Sequence, residues 1–265
     1  MRASAEITSR PAFRYFGGKF SLGSWIVSNL PEHGLYCEPF GGAMSVLLRK
    51  SPSTVDIYND SEGDVVNFFR VLRDQPGELM RQIRLTPMSR EECELSVEPA
   101  ADLVERARRF YVRVGQRFNS ANTGARSGWK FNRKALSKKN EARVWGKIEH
   151  LRAVAERLLT VSIEHDDAFA IIARYDSPSA LFYVDPPYLP DTRDRRWRHR
   201  AYANEFSAVD HGALLEQLKS IEGKVVLSGY ASPLYDEALA GWTRVTRMAR
   251  TTGKTSKLEV LWIKP

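Results

Sequence analysis

The chain has 265 residues, 43% of them hydrophobic, and a formal net charge of +8. That is enough apolar material for one large domain, or for a domain with a modest insertion, and too much for a disordered chain. No run approaches the roughly 20 consecutive apolar residues of a membrane helix, and the opening MRASAEITSRPAF lacks the apolar segment of a secretory signal. A cytoplasmic protein with no membrane partner is therefore expected. The two cysteines, Cys37 and Cys93, are too few for a disulfide framework or a zinc cluster and read as reduced, buried thiols.

Taken in chain order, Phe20 to Leu30 places Leu22, Trp25, Ile26 and Leu30 at helical spacing, and Pro31 closes the helix. LYCEPF (Leu35 to Phe40) then reads as a strand running into Gly41-Gly42, followed by AMSVLLRK as a helix that stops before Pro52. TVDIYND (Thr54 to Asp60) predicts a second strand, with a helix starting near Asp64. From Val65 to Leu158 helical patterns dominate, among them VVNFFRVL, ADLVERARRFYVRV and EARVWGKIEHLRAVAERLL. The exception is RFNSANTGARSGWKFNR (Arg117 to Arg133), whose central Asn, Gly and Ser residues predict a hairpin or long loop. Strand signals return at LTVSI, ALFYVD, KVVLSG and KLEVLWI, with SAVDHGALLEQLKS as a helix between two of them. Strands alternating with helices predict an open α/β sheet built from both ends of the chain, residues 1–64 and 159–265, with a helical insertion over 65–158.

The positive charge is concentrated in that insertion. Between Arg106 and Arg157 there are 15 Lys or Arg against three acids, Glu141, Glu149 and Glu156, so the rest of the chain is net negative. A solvated basic face is the ordinary meaning of such a run; a polyanion-binding surface is the alternative.

The sharpest motif is Asp185-Pro186-Pro187-Tyr188, directly after the apolar LFYV. At average residue usage such a tetrapeptide arises in a chain of this length about once in a thousand. The ends of parallel strands are where open α/β sheets hold ligands. Two successive prolines donate no backbone hydrogen bonds and hold a stiff turn whose carbonyl oxygens stay free to accept. An amine with two N–H groups is the matching ligand: one hydrogen to the Asp185 carboxylate, the other to the Pro186 carbonyl. Tyr188 is then expected to stack on the base that carries the amine.

The order of these motifs resembles the DNA adenine methylase (Dam) family, the alpha class of amino methyltransferases. FRYFGGK (Phe13 to Lys19) is similar to that family's N-terminal cofactor motif, EPFGGAMSV (Glu38 to Val46) to its glycine loop, IYND (Ile57 to Asp60) to its ribose-binding strand, and DPPY to its catalytic motif. The resemblance implies a Rossmann-like S-adenosylmethionine-dependent methyltransferase sheet with an inserted, mainly helical DNA-recognition domain carrying a hairpin. It implies transfer of methyl from S-adenosylmethionine, leaving S-adenosylhomocysteine, to N6 of an adenine flipped out of duplex DNA, without a metal.

Carried over by position, Tyr15, Phe16, Gly17, Gly18 and Lys19 line the cofactor site, as do Glu38, Pro39, Phe40, Gly41 and Gly42, the two glycines letting backbone approach the methionine moiety. Asp60 bonds the ribose hydroxyls, and Asp185 borders cofactor and base. Asp167 matches an acid near the cofactor, with a helix N-cap as its plain alternative and Asp166 as a close neighbour. Met44 stands where the family often has a small residue and is expected to tighten the loop on one side. In the insertion, Arg117, Asn119, Asn122, Arg126, Trp129, Lys130 and Arg133 are the DNA-contact candidates, with Trp129 as a wedge into the stack or as ordinary packing. Arg196, in the second basic tract TRDRRWRHR (Thr192 to Arg200), is another.

Gly17-Gly18-Lys19 is not a nucleotide-phosphate loop, because its first glycine is absent and Phe20 follows the lysine. The expected partner is double-stranded DNA, the expected unit a monomer, and a cognate restriction endonuclease is a further candidate partner. Two readings compete: the same chemistry on cytosine N4, an RNA base or a protein glutamine, and a DNA-binding module without catalysis. The cofactor motifs argue against the second, since a pure binder has no need of them.

Overall fold

The computed structural model describes residues 10–15, 17–117, 128–130, 145–193, 205–250 and 256–265. Its strands are β1 (Leu35–Glu38), β2 (Val55–Asn59), β3 (Val161–Glu164), β4 (Ala180–Val184), β5 (Lys224–Tyr230), β6 (Thr243–Arg250) and β7 (Ser256–Ile263). They form one sheet in the order β3-β2-β1-β4-β5-β7-β6. β1 to β5 run parallel to one another, and β7 runs antiparallel to both β5 and β6. The strand order reverses between β1 and β4, which lie side by side with Cys37 opposite Phe182. This is the topological switch point, where the loops after two neighbouring strands diverge and leave a crevice.

The apolar runs of the central strands serve two cores, one on each face, as the two-residue period of a strand requires. Leu181, Tyr183 and Val226 point into one cluster; Ala180, Phe182, Val184, Val225 and Leu227 point into the other. The first face is covered by α2 (Gly63–Asp74), α5 (Leu103–Gln116) and α6 (His150–Leu158), with α3 (Pro76–Leu85) packed on them. The second carries α7 (Ala168–Tyr175), α8 (Ala208–Ser220) and the short α9 (Pro233–Ala238). α8 begins with a reciprocal capping box between Ser207 and Asp210. Phe13 sits edge-on to Phe68 of α2 at 5.2 Å and to Phe110 of α5 at 5.0 Å, so the N-terminal motif is anchored on the helical segment.

Some local expectations give way. The first helix, α1, spans only Gly23–Val27. AMSVLLRK forms successive turns and not a regular α-helix, although single bonds such as Leu48 N–H to Met44 O have helical spacing. Strand β6, TRVTRMAR, was not anticipated; it is an exposed edge strand with arginines where an apolar alternation would be sought. The division proposed at 64/65 falls inside α2. Cys37 and Cys93 are free and buried, as expected. Among the described residues no helix is long and apolar enough to cross a membrane.

Much of the basic run is spent on folding. Asp64, in the first turn of α2, takes Arg106 at 2.6 Å and Arg113 at 2.7 Å, tying α2 to α5. Arg108 pairs with Glu92 of the short helix α4 (Arg90–Leu95) and with Glu105, and Glu105 also takes Arg109. Arg157 is fully buried and meets Asp56, which also receives Lys50 at 2.9 Å and the Ser53 amide. Burial alone would push the Asp56 carboxyl up, but Lys50 and Arg157 outweigh it and hold it below the usual carboxylate range.

Removing one member of such a buried pair leaves the others uncompensated. Asp56→Asn is expected to lower stability at pH 7 by about 3–5 kcal/mol. Because the folded-state pKa lies below the unfolded one, this stabilisation is present above about pH 4 and lost as pH falls through the folded value. Urea unfolding from pH 7 to pH 3 should show the gap between wild type and variant closing on the acid side.

Candidate active site

Two loops leave the switch point. After β1 the chain runs Glu38-Pro39-Phe40-Gly41-Gly42, and after β4 it runs Asp185-Pro186-Pro187-Tyr188. A cleft, partly open to solvent, lies between them. Its wall contains Tyr15, Gly17, Gly18, Lys19, Glu38, Phe40, Gly41, Gly42, Asp60, Asp185 and Pro187 from the expected set. It also contains Ala43, Ser45, Val46, Ser61, Glu62 and Tyr183, which sequence reasoning did not single out. Pro39 turns the chain beside the cavity and gives its carbonyl to the Asn59 side chain. Phe16 lies outside the described residues.

The glycines are required by the packing. A Cβ on Gly41 would stand 2.1 Å from the Tyr58 ring, so only glycine lets this loop settle onto β2. Gly42 has φ +47°, a left-handed conformation that favours glycine. Met44 shares that conformation at φ +55° and is fully buried among core side chains. Its side chain is not part of the cavity wall.

Asp60 braces the loop. Its Oδ2 accepts the Gly42 amide at 2.7 Å and its Oδ1 the Glu62 amide at 2.8 Å, so the expected ribose ligand already fixes two backbone turns. Burial, only partly offset by those two amides, pushes its carboxyl up to about 6. Glu38 accepts from the Tyr36 hydroxyl and the Leu47 amide, and burial pushes it up to about 8. Asp167 is the N-cap of α7, its Oδ1 taking the amides of Phe169 and Ala170, and it does not contribute to the cavity wall. The plain alternative therefore describes it, for a helix start needs an acceptor. Asp166 pairs with Arg174.

Lys19 joins the two halves of the site. Its side chain is 8% exposed, and Nζ lies 3.0 Å from Asp185 Oδ1, 3.0 Å from the Gly17 carbonyl and 4.5 Å from the centre of the Tyr188 ring. Burial pushes the Asp185 carboxyl up to about 6, with Lys19 lowering it and Glu259 raising it. Glu259, on β7, is 2% exposed and was missed in the sequence, where it reads as one acid in an apolar strand.

Tyr188, expected to stack on the base, closes the diproline corner. Its ring is 8% exposed, covered by Lys19 and by Tyr230 at 4.7 Å, and its hydroxyl is turned inward to Glu259 and Ser228. The hydroxyl thus anchors the ring to a buried carboxylate. Pro186 is buried, while Asp185 and Pro187 stay partly exposed. A second cavity is lined by Leu189, Thr192, Tyr230, Ser232, Pro233 and Lys257 among others. Arg193 fixes the corner by donating to the Tyr188 carbonyl at 2.5 Å and pairing with Glu205.

At the hairpin, Arg117 and Trp129 form an antiparallel bridge, and the Lys130 amide donates to the Gln116 carbonyl at 2.7 Å. The arms do meet as a hairpin base. Lys130 has its ammonium 2.8 Å from the Gly115 carbonyl at the end of α5, a helix-capping position. Trp129 packs with the Arg90 guanidinium 5.3 Å from its ring. Asn119, Asn122, Arg126, Arg133 and Arg196 lie outside the described residues.

DNA adenine methylases from two strains of Vibrio cholerae serotype O1 are each 27% identical over 214 residues, 78% of this chain and 75% of theirs. The crystal structure of a SAM-dependent methyltransferase from Agrobacterium tumefaciens superposes with a TM-score of 0.39 at 12% identity, over 92% of this chain and 61% of that one, too distant a likeness to carry weight. The family model described as D12 class N6 adenine-specific DNA methyltransferase matches residues 15–252, from the FGGK segment through β6, and the chain belongs to that family of S-adenosylmethionine-dependent DNA adenine methyltransferases.

Proposed function

We propose that the cavity at the switch point holds S-adenosylmethionine and that Asp185 orients the N6 amine of an extruded adenine toward it. One observation carries this: a partly exposed carboxylate at the end of β4 shares a cavity wall with a glycine turn that only glycine can form. The fit is chemical. Tyr15 and Phe40 offer apolar faces, Asp60 and Glu62 offer acceptors for hydroxyls, and the turn at Gly41 and Gly42 leaves backbone bare for close approach. When bound, the cofactor supplies an electrophilic methyl group on a sulfonium.

The amine of adenine is a poor nucleophile while its lone pair is delocalised into the ring. Asp185 accepts one N6 hydrogen and the Pro186 carbonyl accepts the other, which favours a pyramidal nitrogen and stabilises the positive charge that develops on it. Lys19 holds the carboxylate in place and keeps it ionised against the cost of burial. The second cavity, bordered by Tyr230, is the room for the base once it leaves the duplex. The helical segment 65–158 and its hairpin are the proposed DNA-recognition part, with phosphate contacts from exposed cations such as Lys147 and Arg152.

Asp185→Ala is expected to abolish methylation of DNA adenine, read by mass spectrometry of digested DNA, with DNA affinity kept within about threefold; near-normal turnover would remove Asp185 from the chemistry. Only the ionised carboxylate accepts, so kcat/KM should fall about tenfold per pH unit below about pH 6, the value to which burial raises this group. A flat profile from pH 7.5 to 5 counts against the assignment. Lys147→Gln combined with Arg152→Gln should weaken duplex binding and make the slope of log K against log salt shallower by about 2. Equal affinity and slope would return these residues to an ordinary solvated face.

A further inference from the structure

Behind the catalytic corner lies a group of polar side chains drawn from four separate parts of the chain. Glu259 of β7 accepts from the Ser228 hydroxyl of β5 at 2.9 Å and from the Tyr188 hydroxyl. The same oxygen is 3.9 Å from Lys19 Nζ, which is itself 3.0 Å from Asp185. A carboxylate this deep is costly unless it is paired and hydrogen-bonded, and here it is both. The folding cost is unexplained by packing alone, since an apolar residue would suit its strand neighbours Val260 and Leu261, both fully buried.

We propose that Glu259 is a positioning residue for methyl transfer: it pins the Tyr188 ring through its hydroxyl and shares the Lys19 ammonium with Asp185. It touches neither cofactor nor base. Its effect on the reaction passes through two groups that do border the reacting atoms. Holding the hydroxyl keeps the diproline corner in one orientation, and drawing on Lys19 prevents that cation from neutralising Asp185 completely. Asp185 thus stays a strong acceptor. The groups facing Asp185 are Lys19, Glu259, Tyr183, Tyr188, Tyr230 and Tyr235, with Glu38 nearby across the cavity wall. Glu259 itself faces Ser228, Tyr188, Lys19 and Tyr183, with Tyr230 and Arg247 opposite it on the neighbouring strands. Burial and the like charge of Glu259 raise the Asp185 carboxyl, and Lys19 opposes them.

This inference rests on the proposed role of Asp185, and the test separates the two. Single-turnover rates on duplex DNA are measured from pH 5 to 8 for wild type, Glu259→Gln and Glu259→Ala, alongside affinities for S-adenosylmethionine and DNA and thermal melts. Glu259→Gln keeps an oxygen for Tyr188 and Ser228 but removes the charge. Its acid limb should move down by about one pH unit, the size expected for losing a nearby like charge. Glu259→Ala also frees the ring and should lose about tenfold to a hundredfold in rate with both affinities retained. An unmoved acid limb in Glu259→Gln, or an alanine variant whose loss is matched by lost cofactor affinity or a collapsed melt, overturns the proposal and leaves Glu259 a structural residue. Wild-type protein that methylates no adenine overturns the enzyme reading instead.

Discussion

The site exists because β1 and β4 are adjacent and parallel, and because the chain leaves them in different directions. One strand ends in a turn that can lie flat only with glycine at position 41, the other in a diproline corner that cannot bend back into the sheet. Lys19 spans the gap as an ion pair with Asp185. Remove that bridge and the N-terminal motif, which is otherwise held by Phe13 in the aromatic cluster of α2 and α5, loses its direct charge contact with the diproline corner.

The acids around the crevice are kept in unlike states. Glu38 is held up to about 8 and is largely protonated at neutral pH, which suits a group that fixes a loop from within the core. Asp60 and Asp185 are both raised to about 6, one by burial against two amides and the other by burial against a lysine, so both are mainly ionised near pH 7. Perturbed acids gathered at one crevice are a mark of chemistry more than of packing, and here they coincide with the switch point of the sheet.

What could be read from the sequence follows from which signals are local. The parallel strands are buried on both faces, so their apolar runs announce themselves, and DPPY and the glycine loop are contiguous motifs. β6 hid because an edge strand with arginines at 244, 247 and 250 carries no apolar alternation. The turns after Gly42 passed for a helix because their apolar spacing is helical while the backbone at Met44 is left-handed. Glu259 was invisible for a different reason: its meaning lies in Tyr188, 71 residues away in the chain, and in Ser228 on the next-door strand. The basic run likewise looked like one surface. Arg106, Arg108, Arg109, Arg113 and Arg157 turn out to answer Asp64, Glu92, Glu105 and Asp56, so charge counted along the chain overstates charge presented to solvent.

The same edge strand bears on how this protein survives its own synthesis. β6 is the last strand on its side of the sheet, and its outward backbone would be a template for pairing with another chain. Arg244 and Arg247 stand exposed along it, and two such strands meeting side by side would bring like charges into register. Charge along such an edge disfavours its pairing with another chain, even with Arg244 beside Asp236 and Arg247 over the Trp25 ring.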